Sequence, residues 1–91
     1  MLIARRFLVS GRVQGVGFRY FAQEAAAVEG LTGWVRNLPH GAVEALAEGD
    51  AEAMERFSLK LARGPGMARV DEVETSEETP HGRGGPFTIQ S

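Results

Sequence analysis

Leu31-Thr32-Gly33-Trp34-Val35-Arg36-Asn37-Leu38-Pro39-His40-Gly41-Ala42-Val43-Glu44-Ala45-Leu46-Ala47-Glu48 is the stretch whose reading decides the fold. Residues 31–36 read as a strand, with Trp34 and Val35 on opposite faces. Residues 37–41 read as a turn, because proline presets φ and glycine tolerates a positive one. Residues 42–48 alternate cleanly, with Val43, Ala45 and Ala47 inward and Glu44 and Glu48 outward. The stretch is a β-hairpin.

Working outward, the hairpin lies between two helical segments. On its N-terminal side, residues 18–29 place Phe18, Ala22 and Ala25 or Ala26 on one stripe, with Phe21 and Val28 beside them. Gly30 stops that helix, and Leu31 contacts its last turn. Before the helix, residues 3–10 form a strand whose Ile3, Phe7 and Val9 share one face. On the C-terminal side, Gly49-Asp50 leads into a second helix. Asp50 is its N-cap, its buried face is Met54, Phe57 and Leu61, and Gly64-Pro65-Gly66 ends it. A fourth strand is expected near residues 68–74, with a bulge because Val70 and Val73 break parity. Residues 79–86 are a Gly/Pro loop, and residues 87–90 form a short last strand with Phe87 and Ile89 on one face. The order is βαββαβ plus a short C-terminal strand. This is an α+β, ferredoxin-like α/β sandwich, with two helices packed on one face of a mainly antiparallel sheet. The fold by itself licenses no function.

Ninety-one residues are expected to make one domain, 1–91, because half that length would not bury a core. No apolar run approaches a membrane span, and Met1-Leu2-Ile3-Ala4 runs straight into Arg5-Arg6 with no signal-peptide core behind it. There is no cysteine, which removes disulfides, thiolate chemistry and CxxC sites. A cytoplasmic monomer is the expectation. The net charge of −2 gives no support to nucleic-acid binding. The charge is uneven, however: residues 1–40 hold five arginines against two glutamates, a balance that suits an anionic ligand.

The chemistry concentrates in Gly11-Arg12-Val13-Gln14-Gly15-Val16-Gly17-Phe18-Arg19, between the first strand and the first helix. Successive N–H groups in a glycine-bearing loop can converge on an anion, and the helix adds unpaired amides and the positive end of its dipole. Arg19, in the first turn, can close over the loop and grip a phosphate bidentately. No Lys-Ser/Thr pair closes the loop as a Walker A motif requires, and Tyr20 stands where a dinucleotide fingerprint needs glycine or alanine. On these residues alone one alternative stays open: a plain strand-to-helix connection with Arg19 in solvent.

The stretch from Gly11 to Arg19 closely resembles the phosphate-loop signature of the acylphosphatases, and Gly33-Trp34-Val35-Arg36-Asn37-Leu38-Pro39-His40-Gly41-Ala42-Val43-Glu44 resembles their second motif. The resemblance implies a metal-independent hydrolase with no cofactor, which splits the carboxyl–phosphate bond of an acyl phosphate into carboxylate and inorganic phosphate. It implies that Arg19 and the amides of Gly15, Val16, Gly17, Phe18 and Arg19 bind the phosphate. It implies that Asn37 orients the attacking water, and that the terminal residues support the loop. The chain departs from the family in its proline-rich Pro80-His81-Gly82-Arg83-Gly84-Gly85-Pro86 and in its Ile89-Gln90-Ser91 end.

A carboxylate leaving group, with a conjugate-acid pKa of about 4.3, needs no general acid. The task reduces to binding a dianion, neutralising the transferred phosphoryl and aligning water. Asn37 can accept from and donate to water, but an amide is no base near neutral pH. His40 and His81 lack partners at ligand spacing, so no metal site is expected. Trp34 is expected to pack, with contact at the edge of the substrate as the alternative. Two rival readings are a phosphate-binding module without turnover, and an RNA-recognition surface. The latter needs aromatics on a central strand, and residues 43–48 have none.

Overall fold

Seven elements follow the chain in the order β1 (Leu2–Arg12), α1 (Phe18–Glu29), β2 (Thr32–Asn37), β3 (Val43–Asp50), α2 (Ala51–Arg63), β4 (Arg69–Glu78) and β5 (Phe87–Gln90). They are taken from a computed structural model that describes residues 1–82 and 84–91; Arg83, in the expected Gly/Pro loop, lies outside the described residues. The sheet order is β4-β1-β3-β2-β5, antiparallel throughout except for the parallel β2–β5 pair. Both helices pack on one face, giving the ferredoxin-like α+β arrangement. None of the described helices is long and apolar enough to cross a membrane.

The core follows from the alternation. Phe7 and Val9 of β1, Val35 of β2, and Val43, Ala45 and Ala47 of β3 meet the buried stripes of the helices. On α1 the stripe is Phe18, Ala22, Ala25 and Ala26, small enough for the helix to lie close to the sheet, while Val28 is exposed. Gly30 takes φ +71°, and the amides of Gly30 and Leu31 donate back to Ala27 and Ala26, closing the helix. On α2, Asp50 caps the helix by accepting from the Glu52 amide at 3.1 Å. Phe57 stands edge-on between Phe7 and Phe87.

Three features differ from the sequence expectation. Glu44 and Glu48 do face away from the helices, but each is only 2 % exposed. Glu44 sits between the guanidinium groups of Arg6 and Arg36. Glu48 is covered because the chain between the two edge strands crosses this face, where the His81 main-chain N–H donates to its carboxylate at 2.7 Å. Second, β4 continues to Glu78, four residues beyond expectation; as an exposed edge strand it carries almost no hydrophobic signal. The expected bulge is present: opposite Ser10 and Gly11 stand Glu72 and Val70, leaving Asp71 unpaired. Third, Asn37 ends β2 in register with Val43 and is not part of the turn.

Candidate active site

The site is assembled at the end of the sheet where β1 and β2 finish. Val9, Val43 and Asn37 form a row across β1, β3 and β2. Asn37 has the parity of the fully buried Val35, so its side chain lies on the helix-bearing face. Beyond Val9, β1 pairs only with β4, through Ser10, Gly11 and Arg12. The chain then turns back toward α1. Val13 is buried and Val16 packs against the core, and these two apolar side chains anchor the loop from beneath.

On either side of Val16 the backbone alternates in sign. Gly15 has φ +74° and Gly17 φ +78°, whereas among the described residues none other than glycine has positive φ. Such alternation turns successive N–H groups toward one point. Gly17 is also the N-cap of α1. Its carbonyl accepts from Phe21 at 3.0 Å, but it offers no capping side chain, and the first turn holds no acid. The amides at the start of any α-helix have no intrahelical partner. At α2 those groups meet Asp50 and Glu52. At α1 no side chain caps them.

Arg19 is placed by the C-terminal strand. Its Nη1 donates to the Gln90 carbonyl at 3.3 Å. A guanidinium has five N–H donors, so this single bond leaves most of them for a ligand. Gln90 is in register with Arg36, the residue before Asn37, so the same chain end brings the Arg19 head group to the tip of β2. The Gln23 carboxamide adds a second tie from α1 to β5, donating to the Phe87 carbonyl at 3.3 Å. The departed C-terminal sequence thus still supports Arg19, and it does so through a main-chain carbonyl, which does not depend on residue type.

The remaining candidates fall elsewhere. Trp34 and Arg36 lie on the helix-free face, where the Arg36 guanidinium stacks 4.9 Å from the indole centroid and binds Glu44. Arg12 and His40 are exposed, and among the described residues no cluster of three or more His, Asp or Glu is placed to hold a metal ion. The sequence reading passed over Gln14. Its carboxamide donates to the carbonyls of Leu38 at 2.8 Å and Ala42 at 2.9 Å, linking the glycine loop to the turn behind Asn37. A long amide side chain inside a glycine-rich loop was the only available signal.

Fold and site define a ferredoxin-like chain with a glycine loop, one arginine and one asparagine at one end of the sheet. The acylphosphatase family model matches residues 5–89. An acylphosphatase from Moorella thermoacetica is 47% identical over 99% of this chain and 96% of its own. One from Thermus thermophilus is 57% identical over 74% of this chain and 76% of its own. The crystal structure of acylphosphatase from Bacillus subtilis superposes with a TM-score of 0.94 at 40% identity, covering both chains completely. The chain belongs to the acylphosphatase family and is a hydrolase.

Proposed function

We propose that the chain hydrolyses acyl phosphates without a metal: water attacks phosphorus, the carboxyl–phosphate bond breaks, and carboxylate, inorganic phosphate and a proton leave. In this reading the amides of residues 15–19 and the Arg19 guanidinium hold the phosphoryl oxygens. Asn37 positions the water opposite the leaving carboxylate. A substrate phosphate oxygen takes the water's proton, as the family resemblance suggests. The observation that carries the reading is the uncapped, acid-free start of α1 beneath Arg19, at the same sheet end as Asn37. A weakly basic leaving group makes that sparse set of groups sufficient, because positioning and charge neutralisation supply the rate.

The test is hydrolysis of acetyl or benzoyl phosphate in EDTA, with wild type, Arg19→Ala and Asn37→Ala side by side. Arg19→Ala is expected to weaken phosphate inhibition and slow turnover, each by about tenfold or more, since a charged hydrogen bond is worth roughly 1.5–3 kcal/mol. Asn37→Ala is expected to keep phosphate affinity and lose turnover. Wild type without turnover in EDTA rejects the activity; Asn37→Ala at full rate rejects the role given to Asn37.

A further inference from the structure

Within the proposed site the phosphate loop and Asn37 belong to segments that no strand pairing joins. β3 lies between β1 and β2, and β1 leaves β3 after Val9. Residues 13–17 therefore have no ladder to fix their separation from the end of β2. In-line attack needs that separation held, because the phosphoryl would sit on one segment and the water on the other.

The side chain of Gln14 spans the gap. Its Nε2 donates to the Leu38 carbonyl at 2.8 Å and the Ala42 carbonyl at 2.9 Å, in a partly buried position. These two carbonyls also close the turn: the Leu38 amide donates to Ala42 at 2.8 Å, and the Gly41 amide donates to Leu38 at 3.2 Å. A carboxamide nitrogen has two hydrogens and a carbonyl oxygen two lone pairs, so the arrangement uses both sides fully. Gln14 adjoins Gly15, the first residue of the proposed nest, and Leu38 adjoins Asn37. We propose that Gln14 is a positioning residue, which sets the distance between the phosphate loop and Asn37 and so holds water in line with phosphorus. The inference rests on the hydrolytic reading above and adds the residue that fixes its geometry.

The experiment measures kcat on benzoyl phosphate and competitive inhibition by inorganic phosphate. It compares wild type, Gln14→Met, Gln14→Glu, Asn37→Ala and the Asn37→Ala/Gln14→Met double variant. Gln14→Met keeps length without donors, and Gln14→Glu turns oxygens toward both carbonyls. Each is expected to lower kcat by roughly tenfold to a hundredfold, as a small misplacement does. The phosphate inhibition constant should stay within about threefold, marking a loss confined to the transition state. On the Asn37→Ala background Gln14→Met should cost almost nothing further, because two residues acting through one step are not additive. Additive losses, or equal losses of phosphate binding and kcat, assign Gln14 a merely structural role and overturn the proposal. Wild-type turnover with unchanged Gln14 variants overturns it alone, whereas no wild-type turnover removes the hydrolytic reading as well. Wild type offers a readout that needs no variant: the Gln14 carboxamide protons should exchange with water more slowly than those of exposed Gln90, and equal rates would refute the bridge.

Discussion

Adding a single methyl group at Gly33 is expected to destabilise the protein more than the same change at Gly17, although both glycines have positive φ. Gly33 lies inside β2 at φ +135°, paired with Ala47 on one side and Phe87 on the other. A Cβ there would overlap the Leu46 carbonyl oxygen and stand 2.9 Å from its carbon and 3.1 Å from the Ala47 Cα, all main-chain atoms of β3. Carbon atoms settle at about 3.5–4.0 Å, so β2 must retreat from β3 by roughly half an ångström or more. The strained backbone costs about 1–3 kcal/mol. Weakening two ladder bonds adds about 1 kcal/mol each. The sum is roughly 3–5 kcal/mol, which at about 4–8 °C per kcal/mol lowers Tm by tens of degrees. At Gly17 an added Cβ meets nothing within 4 Å, so only the φ penalty of about 1 kcal/mol remains. Urea unfolding of both variants measures the difference. Gly33→Ala unfolding within about 1 kcal/mol of wild type, or no worse than Gly17→Ala, would refute the steric argument.

Three further outcomes are expected. Phe57→Ala removes the ring between Phe7 (centroids 5.4 Å apart) and Phe87 (5.8 Å) and should cost about 3–5 kcal/mol in denaturant unfolding. The Arg6→Ala/Arg36→Ala double variant leaves the buried Glu44 carboxylate without either arginine, and should cost about 3–5 kcal/mol, more than the two single variants together. The Met1 ammonium and the Glu52 amide hold the Asp50 carboxyl below the ordinary aspartate range, so its stabilising effect is present above the unfolded-state pKa and lost as pH falls through the folded one. Asp50→Asn, which retains a capping oxygen, should therefore show a shallower loss of stability in acid when urea midpoints are compared below about pH 4.

Much of the fold was legible because hydrophobic spacing reports which face of an element is buried. Met54, Phe57 and Leu61 on α2 and Phe7 and Val9 on β1 read correctly for that reason. The same rule failed at Glu44 and Glu48. Period-two alternation assigns a side chain to a face, but it does not say what covers that face. Two arginines from neighbouring strands and a crossing loop cover it here. The end of β4 was missed because an edge strand rich in glutamate is held by its backbone ladder and carries little apolar pattern.

The sequence alone determined the order of elements, the caps at Asp50 and Gly30, and the two motifs whose resemblance to those of a known family pointed to Arg19 and Asn37. These are local properties, set by φ preferences, side-chain parity and short-range hydrogen bonds. Only the tertiary structure decided that β5 lies beside β2 and offers Arg19 a carbonyl, and that Gln14 reaches across to the turn behind Asn37. Both contacts join residues far apart in the chain through main-chain oxygens, which every residue carries and no sequence pattern marks.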